Sequence, residues 1–428
     1  MGLLAGCRIL AVMGSGETSP TMVTVHRALV SRLAAKRPRA VLLQTPYAFQ
    51  ENAADVSARA RSYFARSVGL DVGVLGSRAE SGDASGRGGD LAALRDADWV
   101  FSGPGSPSYA LKQWREAGIA QLLQDRVSAG AGVTVMASAA AATIGCATLP
   151  VYEIYKAGAV PHWLEGLDLL GLLGLRAALI PHYDNAEGGT HDTRYCYLGE
   201  RRLCLLEDEL PGGAAVLGVD EHTAVVFDLD AERVEVAGRG GVTVRRAGNS
   251  TVLPHGTVLP LTELRALARH GPAALPPGAD RGMPGTAEGI PLPAGDASAT
   301  LTDTTRLLAG RFDDAAAAYD VPAMVDAILD LETVIGDWAC DTEEDQGTRQ
   351  ARAVLRSLIG RLGDLAAQSA GDPRERLASA VDPLLRLRAI LRGQGMYPAA
   401  DTIREALAAA GLQVQDTAEG THWTLLPG

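Results

Sequence analysis

The stretch VTVMASAAAATIG, residues 133–145, places one hydroxyl, Ser138, where strand-forming residues give way to small helix formers. Val133, Thr134, Val135 and Met136 form a strand that must turn sharply into a helix over Ala139–Gly145. A nucleophile raised on such an elbow points its oxygen away from the sheet. The N–H groups that follow it can meet a developing oxyanion at a helix N-terminus. An ordinary buried serine at an Ala-rich helix start reads the same way locally, so the partners decide. A serine hydroxyl needs a base to take its proton, and that base needs a carboxylate to orient it. PVYEIYKAGAVPHW supplies Glu153 downstream of Ser138, and LRAALIPHYDN supplies His182 directly after an apolar strand at 175–180. His162, His191 and His222 compete for the role of base. The strand-end position favours His182.

Other groups could hold a substrate. GSGE at 14–17 is either an anion cradle or a tight turn in which Glu17 is an N-terminal helix charge. Gly16 and Glu17 are therefore candidate substrate contacts, with Asn185, His191 and Arg194 of the loop after His182. His182 and His191, with Asp184, Glu187 and Asp192 nearby, invite a metal reading, but their spacing fits no compact ligand motif. Neither GxGxxG nor a Walker sequence occurs. No metal and no cofactor are expected.

The elements that must position these groups alternate. Short apolar strands at 7–13, 41–43, 71–75, 98–101 and 133–136 are interleaved with helices, including 21–35 and 51–68. This pattern predicts a mostly parallel sheet covered on both faces, with ligands at the carboxyl ends of its strands. The loops at 14–20, 102–108 and 137–141 all follow strands and belong on one rim. From 214 to 246 apolar and polar residues alternate as in antiparallel strands, which either extend the sheet or flank it. Residues 271–298, rich in Pro, Gly and Ala, read as a linker. Beyond it, helices are expected at 301–317, 321–339, 347–369, 373–393 and 398–410, followed by a small hairpin.

Composition bounds the function. The chain has 428 residues and a formal charge of −12, which argues against broad binding to nucleic acid or anionic membrane. Residues 300–428 are themselves acidic, with roughly 20 acidic against 12 basic side chains. The five cysteines show no ligand or disulfide spacing, which suits a reducing cytoplasm. LLAGC near the start lacks the basic and long apolar segments of an export signal, and no stretch reaches membrane-span length. The expectation is a cytoplasmic protein with no membrane contact.

Several segments in order resemble one family. FSGPGSPSYAL, MASAAAATIG, YEIYKAG, GLLGLRAALIPHYD and LGVDEHTAVVFD make residues 1–270 similar to the cyanophycinase and dipeptidase E group of serine hydrolases. The resemblance implies a flavodoxin-like α/β fold of the class I glutamine-amidotransferase type. It implies Ser138 as nucleophile, His182 as general base and Glu153 as orienting carboxylate. The oxyanion hole would use the N–H of Ala139 and one from Gly103 or Gly105, since Pro104 cannot donate. Met136 and Ala140 stand where the family's elbow carries glycine, and the segment after His182 departs from the family's run. The family's preference for aspartyl or β-aspartyl peptides is therefore not carried over.

The tail resembles a second family. Asp401, Ile403, Arg404, Asp416, Thr417, Gly420, Thr421 and Trp423 follow the order seen at the C-terminus of cysteinyl-tRNA synthetases. FDDAAAAYDVPAMVDAILDLE is similar to the first helices of that domain. The expected organisation is thus a hydrolase domain at 1–270, a linker at 271–298 and a separate α-helical domain at 299–428 ending in a hairpin. The expected activity is cleavage of a small peptide or an aminoacyl amide or ester through an acyl-enzyme on Ser138. The alternative is a non-catalytic protein that binds tRNA or a partner protein through 299–428. A homo-oligomer is expected.

Overall fold

The computed structural model describes residues 7–76, 84–130, 132–271, 300–342, 346–369, 372–417 and 420–426. Apart from Gly271, the linker expected at 271–298 lies outside the described residues. The chain divides into two compact units, Met1–Leu307 with Asp330–Ala351 and Leu308–Leu329 with Arg352–Gly428. Residues 330–351 therefore pack with the N-terminal unit.

The strands of the first unit are β1 (Arg8–Met13), β2 (Ala40–Leu43), β3 (Val72–Leu75), β4 (Trp99–Ser102), β5 (Gly132–Ala137), β6 (Ala147–Thr148), β7 (Leu164–Glu165), β8 (Ala177–Ile180), β9 (Ala215–Val219), β10 (Thr223–Asp228), β11 (Arg233–Gly238), β12 (Gly241–Arg246), β13 (Asn249–Pro254) and β14 (Val258–Pro260). The main sheet has the order β14-β11-β10-β1-β5-β4-β2-β3. Its pairs from β1 through β3 are parallel, and β10, β11 and β14 extend it antiparallel. A second sheet has the order β13-β12-β9-β8, with β8 and β9 parallel. The alternating segment after 214 thus does both things open to it: β10 and β11 extend the main sheet, while β9 and β12 build the flanking one.

Successive side chains of a strand face opposite ways, and here both faces are covered. Leu10, Val12, Val41, Leu43, Val100 and Met136 pack into one core with Trp114 and Leu123 from the helices Pro107–Ala117 and Ile119–Ala129. Ile9, Ala11, Leu42, Phe101, Val133 and Val135 pack into another with Leu29 and Tyr63 from Val23–Ser31 and Ala53–Tyr63. This two-sided burial is why the strands read as continuous apolar runs rather than alternating ones.

Parallel register sets the working rim. Met13 pairs with Ala137 and Ser102 with Met136, so β1, β4 and β5 end side by side. Ile180 pairs with Gly218, so the segments after β8 and β9 also leave at one level. Among the described residues, no helix is long and apolar enough to cross a membrane.

In the second unit the helices Pro373–Gly393 and Tyr397–Ala409 pack with a hairpin of β15 (Leu412–Thr417) and β16 (Gly420–Leu425) around Val381, Leu385, Leu407 and Trp423. Gly411, at φ +78°, turns the chain out of the second helix. Arg388 is 1% exposed and forks onto both carboxylate oxygens of Asp416 at 2.7 Å. Trp423 Nε1 donates to Asp382 Oδ1 at 3.1 Å. The aspartate of the tail signature thus anchors the hairpin to the helix Pro373–Gly393.

The Arg388 guanidinium holds the Asp416 carboxyl well below the usual carboxylate range. Because the folded pKa is depressed, its contribution is complete above about pH 4 and fades as pH falls through the lowered value. Arg388→Ala should cost about 2 kcal/mol, between values for exposed and buried pairs because Asp416 is half exposed. Hydrogen exchange read by mass spectrometry should show the loss of protection in β15 and β16.

Candidate functional site

Ser138 sits at the junction of β5 with a single helical turn, Ser138–Ala141. Ala137 is extended at φ −126°, ψ 154°, and Ser138 itself lies at φ +45°. That left-handed conformation is costly for a residue with a Cβ and produces the sharp turn. The bend is taken up at Ser138, so Met136 stays an ordinary buried strand residue and Ala140 is equally buried. The helix expected over Ala139–Gly145 is shorter than the composition suggests. Thr143 Oγ1 donates to the Ala140 carbonyl at 2.6 Å and closes the turn early. A turn of this length supplies individual N–H groups rather than a macrodipole.

The hydroxyl is 3% exposed and donates to Glu17 Oε2 at 2.9 Å. Glu17 reaches it because the loop after β1 leaves the sheet beside the elbow. Gly16, at φ +64°, makes that loop tight, and a Cβ there would collide with the His222 ring. Behind Glu17, His26 Nε2 donates to its carbonyl at 2.8 Å. His26 is buried among Tyr63, Phe64, Trp99 and Phe101, with ring centroids 5.1 to 6.1 Å away. Burial pushes its imidazole down to about 4.

His182, at φ +48°, follows β8. Its Nδ1 lies 2.9 Å from Glu221 Oε1, and Asn185 Nδ2 donates to the same oxygen at 3.0 Å. With Nδ1–H donated to the carboxylate, Nε2 is the basic nitrogen. Burial raises the Glu221 carboxyl, but the His182 and Asn185 hydrogen bonds and the His182 charge bring it below its usual value. Its neighbours go the other way. Burial raises Asp184, and it pushes Asp220 up to about 6, with Asp184 and Glu221 adding to that effect. Glu221 is the member of the trio tuned to stay charged.

A cavity of about 690 Å³ joins these groups. Ser138, Ala139, Gly105, His182 and Glu221 line it, with Tyr152, Tyr155 and Tyr197 along one side. Gly105, at φ +131°, leaves no room for a Cβ against the Pro46 carbonyl, so the glycine turn packs directly onto the next loop. Tyr155 and Tyr197 stack at 5.0 Å, and the Tyr197 hydroxyl donates to Glu187 Oε2 at 2.8 Å. Cys196 also lines the cavity, but burial pushes its thiol up to about 12, which leaves Ser138 as the better candidate nucleophile.

The expected residues distribute as follows. Ser138 and His182 share the cavity, and Ala139 and Gly105 flank the serine within it. Gly103 stands behind the elbow, its carbonyl accepting from the Ala140 N–H at 3.1 Å. Glu153 is not the carboxylate on His182. It belongs to the short helix Val151–Tyr155, which turns Tyr152 and Tyr155 toward the cavity and Glu153 elsewhere. Glu221, from the β9–β10 connection, occupies that place. Glu17 and Asn185 brace catalytic candidates rather than line the cavity, and Gly16 shapes the loop. His191 and Arg194 are exposed and off the cavity, and Arg194 is held by a fork onto Asp192 at 2.9 and 2.8 Å. The signal for Glu221 is the parallel pairing of β8 with β9, which brings the residues after both strands to one rim.

A hydroxyl on a strained strand–helix elbow, a strand-end histidine and a carboxylate behind it are the parts of a serine-hydrolase site. Residues 10–233, just over half the chain, match the model of Peptidase family S51, and the chain belongs to that family. A solved peptidase from an acI-B1 Actinobacterium is 18% identical with TM-score 0.48, covering 60% of this chain and 98% of its own. The C-terminal region is 32% identical over 109 residues to the cysteine–tRNA ligase of Streptomyces griseus subsp. griseus. That match takes in 24% of this chain and 23% of the ligase.

His26 gives the site a pH dependence. Unfolded, it titrates near pH 6.5; folded, it stays neutral to about 4. Its contribution is present above pH 6.5 and is lost as pH falls through 4, up to about 3 kcal/mol. Urea midpoints at pH 7.5 and 4.5 should fall steeply for the native protein. For His26→Gln the fall should be shallower, from a lower starting value.

Proposed function

We propose that this S51 protein is a serine peptidase or amidohydrolase that cleaves a small peptide or an aminoacyl amide or ester through an acyl-enzyme on Ser138. The observation that carries the reading is one cavity lined by Ser138, by His182 bonded at 2.9 Å to Glu221, and by Ala139 and Gly105. A volume of about 690 Å³ suits a small ligand.

In this mechanism Ser138 Oγ attacks the carbonyl carbon while His182 Nε2 takes its proton. The resulting oxyanion is met by the N–H groups of Ala139 and Gly105. His182 then passes the proton to the leaving amine or alcohol as the C–N or C–O bond breaks. Water, deprotonated by His182, releases the acid and restores the hydroxyl. Glu221 stabilises the imidazolium and sets its tautomer, with Asn185 holding the carboxylate. Glu17 fixes the resting orientation of the hydroxyl.

Intact-mass analysis after treatment with diisopropyl fluorophosphate should show one adduct, lost in Ser138→Ala. Glu221→Gln should slow labelling about a thousandfold, whereas Glu153→Gln should leave it unchanged. Absence of an adduct on the native protein would overturn the reading.

The ligase match favours a second role for the tail, recognition of tRNA through 299–428. A gel shift with tRNA at low salt should then appear, weaken as salt rises, and persist in Ser138→Ala. No shift at low salt would remove this role.

A further inference from the structure

The candidate cavity is not built from the hydrolase-like sequence alone. Leu301, Thr302, Trp338, Asp341 and Thr342 line it as well, all from the first compact unit. Trp338–Thr342 forms a strap whose anchors are specific. Thr18 Oγ1 donates to Asp341 Oδ1 at 2.9 Å and accepts from the Thr342 N–H at 2.8 Å. Arg59 Nη1 donates to the Asp341 carbonyl at 2.9 Å, and Cys340 Sγ lies 3.7 Å from Ser62 Oγ. The Trp338 ring stands edge-on to His222 at 5.9 Å. Asp341 and Thr342 are 7% and 6% exposed, so the strap is packed rather than draped.

The anchor points matter for the chemistry. Thr18 adjoins Glu17, which holds the Ser138 hydroxyl, and Arg59 and Ser62 lie on the helix Ala53–Tyr63 beside the cavity. The strap is thus tied both to the loop that carries Glu17 and to a helix that lines the cavity. Asp341 and Thr342 are tied to Thr18 and Arg59, and Trp338 is the large aromatic side chain that the strap contributes to the cavity lining.

We propose that Trp338–Thr342 is a specificity wall that closes one end of the cleft and limits it to short acyl substrates. This rests on the serine-hydrolase reading. The strap excludes peptides extended past that end, and Trp338 is its specificity-determining residue.

The test compares two phosphylating probes on the full chain. One is diisopropyl fluorophosphate, and the other is a fluorophosphonate bearing branched aryl groups on both arms. In Trp338→Ala the ratio of bulky to small labelling rates at Ser138 should rise about tenfold. An unchanged ratio in a variant with a native circular dichroism spectrum and a cooperative melt would overturn the wall. A second variant, Ser62→Cys, should cross-link to Cys340 under mild oxidant and keep the native ratio. Failure to cross-link would overturn the placement of the strap. Failure of the small probe on the native protein would instead remove the hydrolase reading, while the cross-link still reports the strap.

Discussion

The site depends on one constraint: β5 is held in register between β1 and β4 by parallel pairing. That register ends three strands at one level, so three loops share one rim. The loop after β1 delivers Glu17 to the Ser138 hydroxyl. The loop after β4 delivers Gly105 to the cavity and the Gly103 carbonyl to the elbow. A slip of one residue in either pairing would turn every side chain of the strand to the other core and take the hydroxyl off the rim. Each face of the strand packs its own set of side chains into a close-packed core, so such a slip would have to repack both. Hydrophobic burial, with no polar group of its own, thereby sets the geometry of the polar site.

The second sheet repeats the device. Parallel pairing of β8 with β9 puts His182 and Glu221 on the same edge, and Asn185 locks their shared oxygen. The electrostatics of that edge are set by contacts rather than composition. Asp184, Asp220 and Glu221 are all partly buried acids, yet only Glu221 gains an imidazole partner and moves below its usual value. Around Ser138 the opposite sorting holds. His26 is kept neutral by its aromatic shell and acts as a fixed donor to the Glu17 backbone.

Much of this was legible in the residues. Local apolar runs marked β1, β2, β4, β5 and β8 to within a residue or two, because each is buried on both faces and bounded by Gly, Pro or charge. The tail helices followed from their three- and four-residue spacing. Ser138 and His182 stood out because each follows such a strand directly. Glu153 attracted the orienting role by closeness along the chain, but chain proximity carries no information once a short helix intervenes. Glu221 required knowing that β8 and β9 are neighbours, a long-range pairing that no local pattern encodes. The strap at 338–342 was hidden for the same reason: its sequence belongs to a helical pattern, while its contacts belong to the loop at 15–19 and the helix Ala53–Tyr63. Arg194 was a candidate substrate contact in the loop after His182, yet Asp192 two residues away claims it.

The elbow has one further consequence. Ser138 holds φ +45° with a full side chain, and His182 holds φ +48° across the same cavity. Each conformation is one that glycine adopts without strain and other residues resist, at roughly 1–3 kcal/mol. The replacement that most relaxes the backbone at either position is thus the one that deletes the side chain lining the cavity. Cys196, Tyr197 and His222, at φ +55°, +64° and +52°, line the same cavity, so strained backbone is concentrated around it rather than confined to one elbow.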